Sequence, residues 1–179
     1  MKSLAIILTC ILAAICYGIV HDQITARVCV EYFTIGHPPV FSTNDPTLLG
    51  IGWGIIATWW VGFLLGLPLA FVARAGSRPP RSLRSLIGPI SKLLAVMAIC
   101  ALTAGITGWA LASRGVISLI GPIAEAVPAD RHVPFLADLW AHNASYFVGF
   151  FGGIVVIANV RGSRRQDAIG NSESHESSN

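Results

Sequence analysis

Asp138, His142 and Tyr146 recur every fourth residue, so a helix would carry all three on one face. A carboxylate and an imidazole one turn apart can both reach a single metal ion. The same face runs on into Gly149 and Gly153, small residues that let a second helix come close. A polar row leading into such a seam points inward rather than to lipid. A second concentration of reactive side chains fills residues 21–39, HDQITARVCVEYFTIGHPP, with His21, Asp22, Arg27, Cys29, Glu31, Tyr32 and His37. If residues 21–34 are helical, His21, Thr25 and Tyr32 share a face. Arg27 and Glu31, four apart, are then placed to pair, a contact worth a few tenths of a kcal/mol. A turn at Gly36 would bring His37 back toward His21 and Glu31.

Imidazole with carboxylate suits Zn, Fe or Cu, and a Cys29 thiolate would favour Zn or Cu. On this reading His21, His37, His132, Asp138 and His142 are the candidate metal ligands. Glu31 is the candidate acid–base and Arg27 the candidate holder of an anionic substrate. Plainer readings compete. Asp138 could accept a hydrogen bond from His142 and fix the start of its helix, and residues 21–34 could be a polar helix extension at the headgroup level. The chain has no HExxH, ExxH or HxH pattern and no GxSxG, so the spacing matches no established catalytic signature.

The elements that must position these groups are apolar. The 179 residues are 54% hydrophobic and 12% charged, against about 25% charged in soluble domains, and the mean hydropathy is +0.67. The expectation is an all-α integral membrane four-helix bundle over residues 1–161, with helices at about 3–34, 46–73, 87–113 and 134–160. Asp45 caps the second helix and Pro46 opens it, while Pro68 kinks it. Gly50/Gly54, Gly62/Gly66 and Ala104/Gly108 are small pairs four apart. The first and fourth helices outrun the ~30 Å hydrocarbon core and should project from the outer face, the fourth reaching about 40 Å. Residues 117–127 are amphipathic and too short to span, and residues 162–179 read as a disordered, Ser-rich cytoplasmic tail.

With four spans the cations sort by side. Lys2, Arg74, Arg78, Arg81, Arg84, Lys92, Arg161, Arg164 and Arg165 fall on one side, and only Arg27, Arg114 and Arg131 on the other. The positive-inside rule puts both termini in the cytoplasm. Every His and carboxylate before the tail then lies in the two outer connections. Cys10, Cys16 and Cys100 sit in apolar helices as packing residues, and no basic patch with interleaved aromatics suggests nucleic acid.

Residues 21–39, together with PTLLGIGWG at 46–54 and FLADLWAHNASY at 135–146, resemble a family of small bacterial multi-pass membrane proteins that carry an HDQxTARVCVEYFTxGHP stretch. The resemblance implies a bacterial origin and no particular reaction. Three functions follow from the residues: an outer pocket that binds a transition metal and supports hydrolytic or redox chemistry; a non-catalytic scaffold or accessory subunit that pairs with another membrane protein, or with itself, through its glycine seams; and a small transporter. The last is disfavoured because no ionisable residue is expected deep in the bilayer.

Overall fold

The computed structural model describes the main chain of residues 1–176 and the side chains as far as Ile169. The described residues are all-helical. The helices are α1 (Lys2–Val28), α2 (Val30–Thr34), α3 (Pro46–Ile56), α4 (Trp59–Arg74), α5 (Leu83–Ser113), α6 (Pro122–Ala126) and α7 (His132–Glu176), with a 3-10 turn at Ala129–Arg131. Four helical stretches are long and apolar enough to cross a membrane: Lys2–Val28, Pro46–Arg74, Leu83–Ser113 and Ala129–Ile169. α1 lies against α3 and α4, α5 runs along α7, and α4 also meets α7, while α1 touches α5 and α7 more sparsely.

Glycines decide which faces meet. A Cβ on Gly54 would sit 2.5 Å from the Ile19 nitrogen, and one on Gly62 would sit 2.6 Å from the Cys10 carbonyl oxygen. The small pairs of α3 and α4 are therefore spent against α1. On α7, Gly149 faces Met97 of α5 and Gly153 faces Leu65 of α4.

Two helices break where the sequence reading does not place a break. The first expected helix, 3–34, is interrupted at Cys29, whose backbone is extended (φ −148°, ψ 98°). The cause lies far along the chain. Arg131 donates to the Val28 carbonyl at 3.1 Å, and the Tyr32 amide, which would use that carbonyl in a continuous helix, bonds to Cys29 O instead. The second helix is interrupted at Ala57–Thr58, and α4 continues as one element past Pro68. The Thr58 hydroxyl donates back to the Gly54 carbonyl, a local bond that competes with the helical ladder. This is also where α1 comes closest, since a Cβ on Gly18 would sit 2.5 Å from Thr58 Cγ2. The start of α3 is as its residues require: Asp45 Oδ1 accepts the Leu48 amide at 2.9 Å and Pro46 stands in the first turn.

The stretch from Gly162 differs from the expectation of a disordered tail, because α7 continues to Glu176. Arg164 is the reason within the described side chains. It is buried and donates to the carbonyls of Val72, Ala75, Arg78 and Pro79, so it ties α7 to the turn after α4. Arg81 adds an ion pair to Asp167 at 2.9 Å. Residues 177–179 and the side chain of His175 lie outside the described residues.

Two apolar clusters hold the ends. One, with Ile6, Leu69, Leu86 and Val160, packs beneath the basic turn. The other, with Cys29, Tyr32, Phe33, Leu49, Trp53 and Phe135, packs at the opposite end and forms the roof over the polar groups described next.

Candidate metal centre

The buried polar groups sit where α1 meets α7, about two turns before α1 breaks. α1 supplies His21 and Asp22, and α7 supplies Asp138 and His142. Among the described residues one set of three or more ligating side chains converges: one ligand atom each from His21, Asp22 and His142, all within 4.8 Å of one another.

Each ring is held. His142 Nδ1 lies 2.8 Å from the Asp138 carbonyl oxygen. A carbonyl can only accept, so Nδ1 carries the proton and donates. In a neutral ring Nε2 then presents a lone pair, and it faces Asp22 Oδ1 at 3.3 Å. Tyr32 stacks on the His142 ring at 4.4 Å. The His21 ring stacks on Tyr17 at 5.8 Å and meets the edge of His142 at 4.6 Å. Beside them Tyr17 and Ser145 share a 2.9 Å hydrogen bond that ties α1 to α7 a second time.

Two buried atoms in this region have no hydrogen-bond partner among the described residues: His21 Nε2 and Asp138 Oδ2. Buried polar atoms are nearly always satisfied, so each points to something the side chains alone do not provide. An ionised Asp22 and a neutral His142 likewise face each other acceptor to acceptor and need a proton or a cation between them. A proton accounts for the Asp22–His142 contact but leaves His21 Nε2 unsatisfied. A cation accounts for both, as does a proton on that contact together with a water from the adjoining cavity on His21 Nε2. Ligand atoms on a tetrahedral ion with bonds of about 2.1 Å stand roughly 3.4 Å apart, close to the 3.3 Å between His142 Nε2 and Asp22 Oδ1, while the set as a whole spreads to 4.8 Å and would have to close for all three to reach one ion.

The three ligating side chains form the polar end of a cavity of ≈ 120 Å³ between α1, α4, α5 and α7, whose walls include Leu65, Leu93 and Met97. That is space for a few waters at about 30 Å³ each, against an otherwise apolar wall. Were an ion held there, three protein ligands with an open position toward the cavity would match catalytic rather than purely structural metal sites.

The other sequence-derived candidates are occupied elsewhere. His37 Nδ1 donates to the Tyr32 carbonyl at 2.8 Å, and its ring packs on Trp53 and Phe33. Burial pushes its pKa below the ordinary value, so it is neutral. His132 Nε2 faces the carbonyls of Ala124 and Val127 and fastens the α6 connection onto α7. Asp138 contributes its main-chain carbonyl to His142, while its carboxylate, 2% exposed, stands outside the converging set. The expected Arg27–Glu31 pair does not form. Arg27 bonds Gln23 and Thr47, and Glu31 pairs with Arg131 at 2.9 Å. The break at Cys29 turns the two side chains apart, and neither reaches the cluster as an acid–base or an anion holder. Burial raises Glu31, but its hydrogen bonds and the Arg131 charge outweigh this and hold it below the usual carboxylate range. Cys29 is fully buried and its thiol donates to Glu31 at 3.3 Å. Burial, with the negative charge of Glu31 and Asp138, pushes it up to about 12, so it offers no thiolate.

Asp22 is the member of the converging set that the sequence-derived candidates lack. A signal was present. It follows His21 directly, and none of the residues three or four away on its own helix (Gly18, Ile19, Thr25, Ala26) is a cation that could pair with it. No family model, curated protein or solved structure matches this chain.

Proposed function

We propose that this chain is a multi-pass protein of a bacterial inner membrane, a bundle of four spans with both termini cytoplasmic, that holds a transition metal near the outer ends of its first and fourth spans. His21, Asp22 and His142 are the ligands. Two imidazoles and one carboxylate with an open position favour Fe(II) or Zn(II) over Cu, for want of a thiolate. The reading rests on one observation: His142 donates from Nδ1 to the Asp138 carbonyl and turns Nε2 toward Asp22, so that one ligand atom each of His21, Asp22 and His142 lies within 4.8 Å of the others. The cation asymmetry of the connecting segments supports the orientation. A bound ion would polarise a substrate oxygen or activate water beside an apolar cavity, the setting for hydrolytic or redox chemistry on a lipophilic molecule.

The scaffold reading relied on Gly50/Gly54 and Gly62/Gly66, and those faces are taken up by α1 of the same chain. Elemental analysis of detergent-purified protein beside a His21→Ala/His142→Ala double variant tests the proposal. The expected result is close to one Fe or Zn per chain in the parent and none in the variant. No metal in the parent after reloading, or equal metal in both, overturns it.

A further inference from the structure

A second cavity lies on the other side of the His21 ring. It has a volume of ≈ 500 Å³ and runs between α1, α5 and α7, where α1 packs sparsely against both. Its walls are apolar, built from Val20, Ile24, Ala98, Leu102, Ile106 and Trp109. Ile24, Leu102 and Ile106 are each more than 60% exposed, so the rim faces outward from the helices at a level where lipid tails would lie. Tyr17 and His21 line both this groove and the smaller cavity, and therefore stand between them. Asp138, 2% exposed, is part of its lining, and its Oδ2 has no partner among the described residues.

The two volumes separate the roles. The smaller cavity takes a metal-bound water or a small co-substrate. The groove falls within the range of about 300–1,000 Å³ typical of organic-ligand sites. Its chemistry narrows the occupant. An open apolar slot reached from the bilayer takes a single long hydrocarbon chain. A buried carboxyl oxygen in its wall without a partner calls for a head that can hydrogen-bond to it. A phosphate or carboxylate head would have to carry its charge out of the headgroup layer into an apolar groove, at substantial cost. An ammonium head would have to leave the headgroup layer at substantial cost.

We infer that the α1/α5/α7 groove binds a single-chain lipid with a neutral, hydroxyl-bearing head, which hydrogen-bonds to Asp138 and lies one imidazole ring away from the His21–Asp22–His142 centre. That this lipid is a substrate rests on the metal reading. Its binding does not.

The test uses the full chain in nanodiscs and, as probe, hexadecanol carrying a diazirine in the chain and a terminal alkyne. Irradiation should label residues on the facing walls of α1 and α5, within 20–28 and 98–110, and excess hexadecanol should compete. Ala98→Phe fills the groove from an exposed position, so the fold is not at risk. It should lower saturable labelling at least about tenfold, the loss expected when roughly two methylene groups are no longer buried. Ala95→Phe, also exposed and outside the groove, should label as the parent does. Non-saturable labelling, or equal labelling of the Ala98→Phe variant, overturns the groove. Palmitate competing as well as hexadecanol overturns the neutral head. Metal content measured on the same samples keeps the two proposals separate, since labelling without metal retains the groove and removes the centre, and metal without labelling does the reverse.

Discussion

His21→Phe separates a ligand from a packing residue by the sign of its effect. Phenylalanine keeps a flat ring for the 5.8 Å stack on Tyr17 and the 4.6 Å edge contact with His142. It removes one atom that matters, the buried Nε2 with no partner. A buried unsatisfied polar group costs about 1–3 kcal/mol, so with a chelator present the variant should be more stable than the parent by about that amount. Metal reverses the order. At a free zinc concentration of a hundred times Kd, a ligand that binds only the folded state stabilises it by about 2.7 kcal/mol. The parent should gain this and the variant, short of one of three ligands, almost none. Denaturant unfolding in detergent followed by tryptophan fluorescence, with chelator and then with zinc, reads both effects. A variant less stable than the parent in chelator would show that Nε2 has a partner. A variant that gains as much from zinc as the parent would remove His21 from the ligand set.

Gly54→Ala and Gly88→Ala should have opposite signs. The first drives a Cβ to within 2.6 Å of Ile19 Cα and should destabilise by about 1–3 kcal/mol, whereas the second, with nothing within 4 Å, should stabilise by up to about 1 kcal/mol; unfolding midpoints of the two variants decide it. Arg164→Met leaves the carbonyls of Val72, Ala75, Arg78 and Pro79 without their donor and should cost roughly 2–4 kcal/mol, with faster proteolysis in the 75–82 turn; unchanged cleavage there would refute the clamp. Stability should also fall on acidification in two stages. His37 is held below its ordinary 6.5, so the unfolded chain takes up that proton first and stability declines as pH drops through about 6.5. Glu31 is held below 4.5, so its contribution, complete above that value, is lost as pH falls through its lower folded pKa. His37→Asn keeps a donor for the Tyr32 carbonyl and should flatten the first stage; an unaltered slope between pH 7 and 5 would assign it to another group.

The spans were legible because lipid tolerates little else. Long apolar runs without charge can only be buried helices, and Asp45-Pro46 marks the start of one by capping chemistry that needs no tertiary partner. The Asp138/His142 spacing likewise announced a shared buried face, because a helical period is a local property. What the sequence left open depended on groups distant along the chain. The break at Cys29 is set by Arg131, the interruption at Ala57–Thr58 coincides with the closest approach of α1, and the persistence of α7 past Gly162 follows from carbonyls that Arg164 finds in the turn after α4.

The choice of site is the clearest case. From composition alone four His and several carboxylates were equivalent members of an outer pool. Hydrogen bonds to main-chain carbonyls then removed His37 and His132, an ion pair removed Glu31, and the crossing of α1 over α7 brought Asp22 beside His142. Residue types fix which atoms can bind a metal. Only the packing of one helix on another decides which of them still have a lone pair to offer, and which have their lone pairs within a few ångströms of each other.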